Sequence, residues 1–280
     1  MLAQPDISIC AIAPPKGEQL GSLLASLDAT ADSVAVEAVI LCNGSEPPYI
    51  ADLDKRFPLA RFITSRPGQP LVRAQNLCLR HAGGRYLSLW RPDITPLPGC
   101  LPALVAHLDD HPTTAIAAPV LLDPGGGELL PPPRLPSAFA FLWKFTGLAA
   151  AAETGARGER RRAGEPGWLG AEAMAVRREA LLETGLFDER YHYFYHDADL
   201  CRRALAAGWH LAVAEPARAV LRRRRPAGAI LDPLPEAAAS PLPTSPVQLL
   251  DALRFLVHRA LHRRPATANL TLAGMEEDRP

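Results

Sequence analysis

Several things are scarce in this chain, and each scarcity excludes something. No two of the five cysteines (Cys10, Cys42, Cys78, Cys100, Cys201) form a C-x-x-C pair, and their number is odd. That pattern argues against a disulfide framework or a zinc site and favours a reducing compartment. No apolar run reaches the roughly 18 residues that span a bilayer, and no basic-then-apolar signal pattern opens the sequence. No Gly-rich nucleotide loop follows the first apolar segment. Net charge is absent as well: 30 basic residues balance 30 acidic ones, so the overall balance points to no nucleic-acid partner. A cytoplasmic protein is expected, with peripheral contact at the inner membrane face left open.

What is present reads as an α/β domain. The 280 residues are 48% hydrophobic, enough for one large core. Apolar strand patterns occur at 7–13, 34–41, 61–64, 86–90, 115–121, 173–176 and 210–214. Helical spacing occurs at 18–27, 71–81, 101–111, 178–184 and 197–207. Strands alternating with helices predict a parallel sheet with helices on both faces. Ligands of such sheets bind beyond the carboxyl ends of the strands, where Pro14, Asn43 and Asp93 fall.

Residues 1–230 are read as this domain, with 123–167 as an irregular Pro/Arg-rich insertion. Residues 231–246 follow as a Pro/Ala-rich linker, 247–264 as an amphipathic basic helix and 265–280 as a tail. The helix stripe Leu249, Leu250, Leu253, Leu256, Val257, Ala260 and Leu261 suits docking on the domain or on a membrane surface.

The most informative stretch is Tyr195-His196-Asp197-Ala198-Asp199, opening a helix after Gly185-Leu186-Phe187-Asp188-Glu189. Asp197 there suits a general base, or alternatively a simple helix cap. Together with Cys42-Asn43-Gly44-Ser45, Arg73-Ala74-Gln75-Asn76, Pro92-Asp93 and Trp168-Leu169-Gly170-Ala171, in that order, the chain resembles glycosyltransferase family 2. These are nucleotide-sugar-dependent inverting enzymes of GT-A fold, and the rhamnosyltransferase-like branch is the nearest. The resemblance covers roughly residues 6–230.

The resemblance implies transfer of a sugar from a nucleotide-sugar donor to a cell-envelope glycan or lipid-linked acceptor. It implies Asp197 as base and Asp93 as ligand of a divalent cation, Mg²⁺ or Mn²⁺, on the donor diphosphate. Asn43, Asn76, Arg91 and Arg222 would join Asp93 at the donor, and Trp168, Gly170 and His196 would meet the acceptor. The chain departs from the family pattern at Arg91 (usually Asn or Asp), His196 (usually Glu), Arg222 (usually His) and Cys42 (usually Asp). Two arginines at metal-site positions raise the alternative that guanidinium groups replace the cation. A scaffold that binds glycan, nucleotide or protein without turnover is the other reading.

Overall fold

The computed structural model describes residues 4–30, 34–129, 166–222, 250, 251, 253–255 and 257. Most of the expected insertion, the linker 231–246 and the tail 265–280 lie outside these residues.

The first half alternates as expected. β1 (Ile7–Ile12) leads to α1 (Gly17–Asp28), β2 (Val36–Asn43), α2 (Ile50–Arg56) and β3 (Ala60–Ser65). Next come α3 (Leu71–His81), β4 (Tyr86–Trp90), β5 (Ile94–Pro96), α4 (Cys100–Asp110), β6 (Thr114–Leu122) and β7 (Glu128–Leu129). The second half adds β8 (Ala173–Arg177), α5 (Arg178–Thr184), α6 (His196–Ala206) and β9 (His210–Leu221). A further helical segment occupies the described residues between 250 and 257.

The strands form one sheet in the order β3-β2-β1-β4-β8-β6-β9-β5, with β7 paired to β6. Strands β1 to β4, β6 and β9 run in one direction; β5, β7 and β8 run against it. The sheet is therefore mixed and mostly parallel.

Strand periodicity divides the core in two. Ile7, Ile9 and Ala11 of β1 face one apolar layer with Ala38, Ile40 and Cys42 of β2. Cys10, Val39 and Leu41 face the other. Helix α1 covers the first layer with Leu20, Leu23, Leu24 and Leu27, all 0% exposed. Shortening Leu24 to Ala would cost about 2–5 kcal/mol. Val72, Cys78 and Leu79 of α3 close the second layer, together with Ala198 and Leu200 of α6. Burial on both faces explains why the strands read as continuous apolar runs. All five cysteines are buried, and none is in a disulfide.

Strand β9 runs past the expected end at Ala214. Its ladder with β6 shifts register between Pro119↔Ala214 and Val120↔Arg218. Pro216 falls within this shift, a place where a strand tolerates a residue without an N–H. The extension matters, because it carries the chain to Arg222 beside β5, where Ile94 pairs with Leu221.

Candidate functional site

The carboxyl ends of β1, β2, β3 and β4 lie side by side, as the parallel registers require. Asn43 closes β2. Its Nδ2 donates to Gln69 O at 2.9 Å, and its Oδ1 accepts from Ser65 Oγ at 3.2 Å and Gln69 N at 3.3 Å. Asn43 therefore shapes the loop after β3. Cys42, the residue before Asn43, is buried, and burial raises its thiol pKa.

Beyond β4 the chain turns through Arg91-Pro92-Asp93. Arg91 grips Asp93 with two bonds, Nε to Oδ1 at 2.9 Å and Nη2 to Oδ2 at 2.5 Å. The pair is shielded, with 21% of the Arg91 side chain exposed and 8% of the Asp93 side chain. Arg222 comes to the same place from β9. Its backbone N–H donates to Asp93 O at 2.9 Å, and its Nε donates to Thr95 Oγ1 at 2.7 Å. Arg91 thus engages the Asp93 carboxylate, while Arg222 engages the Asp93 backbone carbonyl.

This residue set does not fit a divalent ion. Both Asp93 carboxylate oxygens accept from Arg91. A magnesium site needs unengaged carboxylate oxygen. Among the described residues, no group of three or more His, Cys, Asp or Glu could hold a metal.

Asp197 lies in the first turn of α6 and is partly exposed. Its Oδ1 accepts from Ala198 N at 2.7 Å and its Oδ2 from Ala171 N at 3.2 Å. Desolvation by the surrounding protein raises its carboxyl pKa above the ordinary value, against the lowering effects of His196 and of these amides. The next residue along from Ala171 completes a bridge, because Glu172 O accepts the backbone N–H of Arg91 at 2.7 Å. The segment Gly170-Ala171-Glu172 therefore ties Asp197 to the Arg91–Asp93–Arg222 cluster. Glu172 itself is buried, and its carboxyl lies against Gly170: a Cβ on residue 170 would stand 2.7 Å from Glu172 Cδ. Glu172 carries no sequence signal, since an isolated Glu just before a strand has no distinguishing pattern. A small cleft lined by Gly170, Glu172, Pro119 and Val213 adjoins it.

Three expected site residues sit elsewhere. Asn76 is 1% exposed and does not line a nucleotide pocket. Its Nδ2 donates to Phe187 O at 2.8 Å and Glu189 Oε1 at 3.2 Å, and its Oδ1 accepts from Phe187 N at 3.1 Å. The amide is consumed in pinning the loop before α6. His196 is 3% exposed and packs edge-on against Phe187, at 4.9 Å between ring centroids and 78°. Burial lowers its pKa and keeps the ring neutral, so it is a core group and not an acceptor contact. Trp168 is 8% exposed and belongs to the second core layer. Asp199 is likewise structural, paired with Arg202 and Arg203 at 2.9 Å each.

The described residues 250–257 dock on the domain through Asp251 and Phe255, both 0% exposed, while Leu250, Leu253 and Val257 remain outward. No described helix is long and apolar enough to cross a membrane.

Comparison with known proteins agrees with this architecture. Residues 16–181, more than half of the chain, match the family "Glycosyl transferase family 2". A relative is the N-acetylglucosaminyl-diphospho-decaprenol L-rhamnosyltransferase of Mycobacterium tuberculosis. It is 28% identical over 236 residues, covering 78% of this chain and 76% of that protein. Among solved structures, GalNAc-T7 with UDP, GalNAc and Mn²⁺ matches 80% of this chain at a TM-score of 0.58 and 14% identity. The mannosyltransferase PcManGT from Pyrobaculum calidifontis, with GDP-Man and Mn²⁺, matches 78% at 0.52 and 17% identity. The chain spans only 45% and 57% of those two proteins, and the likeness establishes the GT-A fold. The chain belongs to glycosyl transferase family 2 and is a glycosyltransferase that draws on a nucleotide-sugar donor.

Proposed function

We propose that this enzyme transfers its sugar by a single displacement with inversion, to a cell-envelope glycan or lipid-linked acceptor. Asp197 takes the proton of the acceptor hydroxyl as that oxygen attacks the anomeric carbon. The bond from the anomeric carbon to the donor diphosphate breaks on the opposite side, and the diphosphate leaves with the electron pair. A carboxylate whose pKa is raised towards neutral is a better base than an ordinary one, and such assistance contributes about 10²–10⁴ in rate.

The observation that carries this reading is the link from Asp197 through Ala171 and Glu172 to Arg91. It sets a partly exposed carboxylate and a cationic cluster on one short segment, as a base and a leaving-group site must be. Arg91 and Arg222 receive the developing charge of the diphosphate, with Asp93 fixing Arg91 in place. No divalent ion is assigned, although two solved structures of the same fold contain Mn²⁺. Asn43 orders the loop at the nucleotide side, and Gly170 leaves room for the Glu172 carboxyl on the segment that reaches Asp197.

The M. tuberculosis relative is named for a decaprenol-linked diphospho-sugar, which supports an acceptor of lipid-linked type here. The exposed Leu250, Leu253 and Val257 suit shallow contact with a membrane carrying such an acceptor. Flotation with liposomes tests that contact: binding that ignores anionic lipid and survives polar replacement of these three residues speaks against it.

A screen of UDP-, GDP- and dTDP-sugars by thermal shift, followed by turnover of each hit with a polyprenyl-diphospho-sugar acceptor, tests the whole. Stabilisation and transfer with at least one donor support the proposal. Transfer only to a soluble non-glycan acceptor overturns the acceptor assignment.

A further inference from the structure

We propose that Asp251, on the C-terminal helical segment, is a positioning residue for the transfer reaction. It holds the chain that presents Asp197, and the proposal rests on the reading of Asp197 as base.

Asp251 is 0% exposed. Its Oδ2 accepts three consecutive backbone N–H groups, from His192 at 3.0 Å, Tyr193 at 3.0 Å and Phe194 at 3.2 Å. Its Oδ1 lies 3.4 Å from both Arg254 Nη1 and His192 Nδ1. Arg254 also donates to Arg190 O and lies 3.0 Å from His192 Nδ1. Phe255, likewise 0% exposed, tilts over Tyr195 at 5.8 Å and 30°. The C-terminal segment thus touches the run from 190 to 195 at both ends and in the middle.

The run leads directly to the base. Tyr195 has φ 62° and ψ 3°, and among the described residues no other non-glycine has positive φ. That left-handed conformation is disfavoured for a residue with a side chain and persists where the surroundings over-determine it. Here the surroundings are Asp251 on the preceding amides and Phe255 on the ring. Tyr195 O then accepts Asp199 N at 2.9 Å as α6 begins, so the turn at Tyr195 sets the direction of Asp197.

Simple docking of an amphipathic helix does not require this arrangement. An apolar side chain would bury at no electrostatic cost, whereas a buried carboxylate is tolerated only with dedicated partners. Three convergent amides are such partners, and they form a concave anion site of the kind backbone N–H groups build. The chain fills that site with its own carboxylate. The C-terminal segment is therefore part of the catalytic apparatus.

The test uses the full chain with Asp251→Asn, Asp251→Ala and Phe255→Ala. Three readouts are compared: amide hydrogen exchange over 192–199, the thermal shift given by the donor's nucleoside diphosphate, and kcat with KM for donor. Asp251→Ala should speed exchange at 192–194 and onward to Asp197. It should lower kcat by about 10²-fold through misplacement of the base, with donor KM and thermal shift nearly unchanged. Asp251→Asn keeps one acceptor oxygen and should fall between wild type and Asp251→Ala. Faster exchange with unchanged kcat overturns the proposal, as does a loss of kcat that only parallels a loss of donor binding. Should Asp251→Ala fail to fold, Asp251→Asn and Phe255→Ala decide the same comparison. Full activity of Asp197→Asn would remove the base assignment, and the exchange readout would still report whether Asp251 orders 192–199.

Discussion

Arg91 holds Asp93 by two parallel bonds, so the one acidic residue of the Pro-Asp turn is already neutralised by the residue two places before it. Solved structures that share the fold contain Mn²⁺, whereas here a guanidinium occupies the only carboxylate of the turn.

Nucleoside-diphosphate binding should therefore be equally strong in EDTA and in Mn²⁺. Arg91→Asn should weaken it in EDTA by about tenfold, the loss of one charged hydrogen bond. It should also free the Asp93 carboxylate, so that Mn²⁺ now restores part of the affinity. Isothermal titration with and without EDTA reads both effects. Wild-type binding abolished by EDTA and restored by Mn²⁺ would contradict the guanidinium assignment.

Replacing Asp197 separates chemistry from folding. Asp197→Asn keeps an oxygen for only one of the Ala171 and Ala198 amides and removes the base, so kcat should fall about 10²–10⁴-fold. The folded-state carboxyl pKa is raised, so ionised Asp197 opposes folding; the penalty is absent below its unfolded pKa and complete above the folded one. Relative to Asp197→Asn, the wild-type Tm should then rise as pH falls through the raised pKa. For the same reason the acid limb of kcat/KM should lie above the ordinary carboxylate value of about 4.

A methyl group at residue 170 would meet the Glu172 carboxyl at 2.7 Å. Gly170→Ala should displace the segment that joins Asp197 to Arg91 and lower kcat. Glu172→Ala in the same chain should relieve the clash, giving a coupling of about 0.5–3 kcal/mol in a double-mutant cycle. Strict additivity of the two substitutions would deny that the segment transmits between the sites.

Asn76→Ala should cost about 1–3 kcal/mol in stability, because the backbone N–H and C=O of Phe187 lose their buried partner. Its donor affinity should stay at the wild-type value, as measured by titration of the protein once folded. A selective loss of nucleotide binding would return Asn76 to the donor pocket.

Much of the fold was legible, for local reasons. Helix α3, strand β4 and helix α5 begin and end where apolar spacing and the glycines at 83–84 and 185 place them. Helix α2 escaped because seven residues with two buried positions carry too little periodicity, and β5 because it has three residues. Pro216 concealed the length of β9, since a register shift within the sheet cannot be seen from spacing alone. Of the site, Asp93, Arg222 and Asp197 were traceable through the order of their motifs. The partners were not. Arg91 neutralising Asp93, Asn76 pinning Phe187 and Asp251 collecting the amides at 192–194 are decided by side-chain direction and by contacts distant in sequence.

Inverting transfer with Asp197 as base is decided by the anomeric configuration of the product, read by proton NMR for the donor that turns over, beside Asp197→Asn. The product should carry the opposite configuration to that of the donor, and Asp197→Asn should bind donor with wild-type affinity yet transfer at least about 10²-fold more slowly. Retained configuration, or an Asp197→Asn protein as fast as wild type, would contradict it.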